Sequence, residues 1–302
     1  MPLFDFLRKS DFNKGVELSV AGHHAEALDY FDRALAHHPG HVDTWNNRGA
    51  ALSNLGRHEE ALRSYDMALQ IEPGHCIAWI NRGSALEGLG RYKEAILSYD
   101  RALAINPKHP GAWSDRGFVL SILGRYTEAL EAYDKAILHD DSLAPAWTSR
   151  GRVLHALGRY EEAILSYDRA GKIEPRYVDA WALCGSSLYS LGRYADAIES
   201  CDQAIAIYPD FCIPWYIRGA ALDALGSHTE AAEAYEKVIS FTADARFEWY
   251  YRGLALGRLG RYEEAAMAFE RADASAKLCI LDPSDEEIQW AGEGGVIKRA
   301  EI

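Results

Sequence analysis

VDTWNNRGAALSNLGRHEEALRSYDMALQIEPGH, residues 42–75, is the pattern on which the whole chain is built. Its glycine Gly49 recurs every 34 residues, at Gly15, Gly83, Gly117, Gly151, Gly185, Gly219 and Gly253. Gly56, Ala61 and Trp45 head columns of the same period, and only Asp11 breaks the tryptophan column. An unbroken period of this length outranks any local signal and makes the chain an array of like units.

Within the unit, Trp45, Gly49, Leu52 and Leu55 fall at helical spacing on one stripe, and Ala61, Tyr65 and Ala68 on another. Between them Gly56-Arg57-His58 supplies a turn, and Pro73 ends the second helix. Each unit is therefore expected to be a helical hairpin. Gly49 inside a helix costs about 1 kcal/mol relative to alanine, so its recurrence calls for close packing, expected here opposite Ala61. The acidic column Asp32, Asp66, Asp100, Asp134, Asp168, Asp202, Glu236 and Glu270 matches a basic column headed by Arg48, which predicts ion pairs between helices.

Trp45, Gly49, Ala61, Tyr65, Ala68 and Pro73 resemble the tetratricopeptide repeat, with Arg48 and Leu52 departing from the usual residues in a manner similar to the Asn-Arg-Gly variety of prokaryotic members. The resemblance implies an all-α, right-handed superhelical solenoid of eight helix-turn-helix repeats. The boundaries read 8–41, 42–75, 76–109, 110–143, 144–177, 178–211, 212–245 and 246–279. Residues 1–7, containing Leu3, Phe4, Phe6 and Leu7, read as an apolar cap or tether. Residues 280–302 read as a capping helix over Pro283–Trp290, where Ser284 and Glu287 have capping-box spacing, followed by a flexible tail.

With 48% hydrophobic and 25% charged residues the chain can bury a core, and its formal charge of −13 opposes a phosphate backbone, so nucleic acid is not an expected partner. No apolar run reaches the roughly 20 residues of a membrane span, although peripheral association through the apolar start is compatible with the sequence. Cys76, Cys184, Cys201, Cys212 and Cys279 form no C-x-x-C pair, which suits reduced thiols and a cytoplasmic setting. Cys184 and Cys201 depart from the repeat pattern in one unit and read as small core residues ahead of a redox site.

No catalytic motif emerges. The glycines at Gly292, Gly294 and Gly295 lack the lysine spacing and the Ser/Thr of a phosphate loop, and H-E-x-x-H and G-x-S-x-G are absent. His37, His38 and His41 share a turn but lack the further ligands of a metal site. Neither an enzyme, a metal nor a cofactor is expected.

What varies between units is a second stripe on each first helix, and by the resemblance it lines a concave peptide-binding groove. Near the start it is polar, with Asn46, Asn47, Asn81, Ser114 and Asp115; further on it is aromatic, with Tyr189, Tyr216, Phe247, Tyr250 and Tyr251. The expected function is a non-catalytic scaffold or assembly factor that holds a protein or peptide segment there. The alternative is a regulatory or targeting subunit docking through the apolar N-terminus.

Overall fold

A computed structural model describes residues 2–243 and 245–274, with side chains from residue 11 to residue 272. The proposed capping helix at 283–290 lies outside the described residues. Sixteen α-helices occupy the described chain: α1 (Pro2–Val20), α2 (His24–His37), α3 (Val42–Asn54), α4 (His58–Ile71), α5 (Cys76–Gly88), α6 (Tyr92–Ile105), α7 (Pro110–Ile122), α8 (Tyr126–His139), α9 (Ala144–Ala156), α10 (Tyr160–Ile173), α11 (Val178–Ser190), α12 (Tyr194–Ile207), α13 (Cys212–Ala224), α14 (His228–Ser240), α15 (Arg246–Arg258) and α16 (Tyr262–Ala274). They fall into two compact units, the first ending at Leu120 and the second beginning at Ser121, inside α7. Among the described residues there is no strand, and no helix is long and apolar enough to cross a membrane.

In the first unit α1 packs on α2, α3 on α4 and α5 on α6; in the second α9 packs on α10, α11 on α12, α13 on α14 and α15 on α16. Successive odd helices also touch, α3 on α5 in the first unit and α11 on α13 in the second. The turn inside each hairpin is a Schellman motif. After α3 the N–H of Gly56 donates to Ser53 O and that of Arg57 to Leu52 O, both at 2.9 Å. Gly56 has φ +73°, a conformation that side chains with a Cβ disfavour.

The mid-helix glycine has a different neighbour from the one expected. A Cβ on Gly49 would lie 2.5 Å from Cε1 of Tyr65, and one on Gly83 equally close to Tyr99. The glycine therefore makes room for a flat buried ring rather than for contact with Ala61. Tyr65, Tyr99, Tyr133, Tyr167 and Tyr235 hold this position among the large rings of the core, with Phe31 opposite Gly15 and Phe269 opposite Gly253.

The tryptophans are only half-buried, and six of the seven described indoles reach the chain that follows the preceding helix. Trp79 Nε1 donates to Pro73 O at 2.9 Å and Trp147 Nε1 to Asp141 O at 3.0 Å. The arginine column is a two-way clamp. Arg48 donates from Nε to Asp32 Oδ1 at 2.6 Å and from Nη1 to Ser64 Oγ at 2.8 Å, tying α3 to both α2 and α4. Arg82 and Arg150 repeat both bonds. The carboxylates are about half exposed, so each pair contributes about 0–1 kcal/mol and serves mainly to set register.

Where Cys184 replaces the arginine, Ser200 donates instead to Trp181 O at 2.8 Å. Burial pushes the Cys184 thiol up to about 12, and burial likewise raises Cys201. Neither thiol is poised to form a thiolate at neutral pH.

Candidate functional site

In the first unit the odd helices present the polar stripe. Asn47 and Asn81 are half-buried on α3 and α5, and Ser114 and Asp115 on α7. Asn46 does not belong with them as a free contact. It is 8% exposed, and its Oδ1 accepts a hydrogen bond from Asn81 Nδ2 at 2.9 Å, so it is a polar strut between α3 and α5.

Asp115 is the outstanding group of this face. It is half-buried, and no hydrogen bond or ion pair to it is found among the described residues. Burial alone pushes its carboxyl up to about 6. Nearby, the Tyr99 hydroxyl donates to Glu87 Oε2 at 3.0 Å. Tyr99 is held protonated first by burial and then by the fields of Glu87 and Asp115, which places both carboxylates around one phenol. Glu87 carries no signal in the repeat pattern beyond its position 12 residues before a core tyrosine, where Asp223 stands before Tyr235.

The aromatic stretch of the second unit divides differently from the expectation. Tyr216 is 1% and Tyr251 0% exposed; both belong to a core cluster with Cys212, Leu222, Tyr235 and Val238. Their rings stand edge to face with centroids 5.4 Å apart. As contact residues for a partner these two are corrected: they are packing residues. The physical reason is ring against ring: Tyr216 from α13 and Tyr251 from α15 pack on each other between successive odd helices.

Tyr189, Phe247 and Tyr250 remain half-buried. The ring of Tyr189 lies 5.4 Å from that of Tyr194, and that of Tyr250 lies 5.7 Å from Phe269. Beside them stands Arg258, which the repeat pattern did not single out. Burial works against its charge, but the hydroxyls of Tyr216, Tyr235 and Tyr189 outweigh that cost and hold its pKa above the ordinary guanidinium value. The Tyr235 hydroxyl donates to Asp223 Oδ2 at 2.9 Å.

One buried polar group in this unit has a partner from the next hairpin. His155 Nδ1 lies 2.7 Å from Ser187 Oγ, joining α9 to α11, and burial lowers its pKa to about 4. The buried Tyr167 hydroxyl has no partner among the described residues. Among those residues there is also no group of three or more histidine, cysteine or acidic side chains able to hold a metal ion.

Tetratricopeptide repeat models match residues 42–75, 76–109 and 178–211, with related models of the same repeat at 98–131, 151–190, 214–244 and 249–277. The chain belongs to the tetratricopeptide repeat family. Solved tetratricopeptide structures share its all-α repeat-solenoid fold. A tetratricopeptide repeat protein from Parabacteroides merdae superposes with a TM-score of 0.64 at 21% identity over 78% of this chain and 93% of that one. PilF of Pseudomonas aeruginosa gives 0.61 at 18% identity over 68% and 94%. YrrB, described as a TPR protein with an unusual peptide-binding site, gives 0.52 at 24% identity over 61% and 95%. At these identities the likeness shows the fold alone. No curated protein matches the chain. Tetratricopeptide repeats are generally non-catalytic, and the matching repeat models support a protein–protein interaction scaffold here.

Proposed function

We propose that this tetratricopeptide protein works as a non-catalytic assembly scaffold that binds an extended segment of a partner protein along its odd-numbered helices. Asp115 carries the reading. A half-buried carboxylate that is partly desolvated and has no hydrogen-bonded donor or cation costs stability in the free protein, and such a cost is offset when a partner supplies a donor. Asn47 and Asn81 add half-buried amides in the same register, suited to backbone groups of an extended peptide. In the second unit Tyr189, Phe247 and Tyr250 offer aromatic area, the residue class that dominates binding hot spots. YrrB, with the same fold, is described as having a peptide-binding site, which supports the same class of ligand here.

The test is a selection of random peptides displayed on phage, followed by calorimetry of the best binder. Replacing Asp115 with alanine, or Asn47 and Asn81 together, should weaken that peptide about tenfold or more. Alanine at Leu165, which is exposed on α10, should leave it unchanged. A selected peptide indifferent to all the face variants would place binding elsewhere.

A further inference from the structure

Three helices of the first unit begin with a histidine that caps them. Nδ1 of His41 accepts from the backbone N–H of Thr44 at 3.3 Å, and Nδ1 of His75 and His109 accept from Ala78 and Ala112 at 3.1 Å. A nitrogen that accepts a hydrogen bond carries no proton, so the cap requires a neutral ring with its hydrogen on Nε2. His75 fits this tautomer, since its Nε2 lies 3.3 Å from Asp43 Oδ1 and can only donate there. In the second unit Leu143, Tyr177 and Phe211 hold the same register and make no side-chain cap.

We propose that His41, His75 and His109 form an acid-sensitive latch that holds the first turns of α3, α5 and α7 and releases them when the rings take up a proton. An imidazolium has a hydrogen on both nitrogens and no lone pair left to accept. It also sets a positive charge against the positive end of a helix. Capping and protonation are therefore mutually exclusive at each site. Only the uncapped state can hold a proton on Nδ1, so acid favours uncapping.

The surrounding groups act unequally. Asp43 on α3 faces His75, with its Oδ1 3.3 Å from Nε2. Ile77 holds on α5 the register that Asp43 holds on α3, so His109 has no carboxylate at that place, and Lys108 adjoins it. His41 packs against the edge of Phe12 from α1, centroid to centroid 5.1 Å, and stands 6.0 Å from the ring of His38. Thr44 Oγ1 lies 2.6 Å from His41 Nδ1 and becomes the acceptor of that nitrogen's hydrogen once it is protonated. Asp115 on α7 responds in the opposite sense, since it becomes neutral near pH 6, and it is common to every variant compared below.

Asn47, Asn81 and Asp115 each stand six residues after one of these histidines, in the second turn of the helix that it caps. Fraying from the capped end reaches them next, so acid loosens the polar face and speeds release of whatever it holds. That last step rests on the proposed peptide face; the latch itself does not.

Two measurements on the free full-length protein decide the latch. In the first, the ring nitrogens of His41, His75 and His109 are observed by nitrogen-15 NMR at pH 7.5, where Nδ1 should be unprotonated and Nε2 should carry the hydrogen; a proton on Nδ1 in these rings overturns the proposal. In the second, thermal unfolding is followed at pH 7.5 and 5.5 for the wild type and for the triple variant His41→Ser, His75→Ser, His109→Ser. Serine is an equally good cap with nothing to titrate. The wild type should lose about 5 °C more than the triple variant over that interval. Equal losses overturn the latch, and if the triple variant does not fold, His109→Ser alone should show about a third of the difference.

Discussion

Gly151→Ala sets two known effects against each other. Alanine is the better helix former by about 1 kcal/mol, so on propensity alone the change stabilises α9. The added Cβ, however, would lie 2.6 Å from Tyr167 Cε1 and 2.9 Å from Cδ1 and Cζ. Tyr167 is 1% exposed and packed on every side, so its ring cannot swing into solvent to make room. Overpacking of this kind costs about 1–3 kcal/mol, and with an unyielding ring the upper part of that range applies, leaving a net loss of about 1–2 kcal/mol. Gly257→Ala in α15 is the matched control, because a Cβ there meets nothing within 4 Å, and it should stabilise by up to about 1 kcal/mol. Urea unfolding followed by circular dichroism gives both midpoints. Adding Tyr167→Leu to Gly151→Ala should recover part of the loss, since the clash is with the ring. If Gly151→Ala stabilises the protein as Gly257→Ala does, the glycine column does not exist for the tyrosine ring and the packing argument fails.

The buried His155 predicts a further pH effect. Its folded pKa lies below that of a free imidazole, so its contribution is fully present above about pH 6.5 and is lost as pH falls toward 4, by at most about 3 kcal/mol. His155→Gln should flatten that part of the stability profile of the second unit. Asp115 has the opposite sign: its folded pKa is raised, so the burden that it imposes at pH 7 is relieved as pH falls through about 6, and Asp115→Asn should stabilise the free protein at pH 7 while blunting any gain on mild acidification. Cys184 and Cys201, buried and with raised thiol pKa, should resist a thiol reagent in the native protein at pH 7.5 and react at full rate once unfolded; native reactivity would reopen a redox role.

Hairpin, turn and repeat were legible in the sequence because each is fixed by local residue chemistry recurring every 34 residues. Gly56 at φ +73° is such a case, since the turn needs a residue without a Cβ and only the column of glycines supplies it. Contacts between side chains from different helices were less legible. The glycine at 49 announced close packing, but whether Ala61 or Tyr65 stood opposite depends on how far a ring reaches across two helices. The same limit explains Tyr216 and Tyr251, which occupy stripe positions that hold polar residues in the first unit yet turn inward because their rings fill a gap between successive odd helices. Asn46 was misplaced for a related reason, since one stripe position away from Asn47 is enough to bury an amide that finds a partner in Asn81. The histidine caps went unread because a histidine before a helix is not among the usual cap residues, and only the ring orientation reveals it.

The central claim is that the odd helices carry the partner-binding face. A hydrogen-exchange footprint of the full-length protein with and without the phage-selected peptide tests it most directly. The account predicts added protection in α3, α5 and α7 around Asn47, Asn81 and Asp115, or in α11 and α15 around Tyr189 and Tyr250, with the even helices unchanged. Protection confined to the even helices, over the exposed Leu97 of α6 or Leu165 of α10, would contradict it.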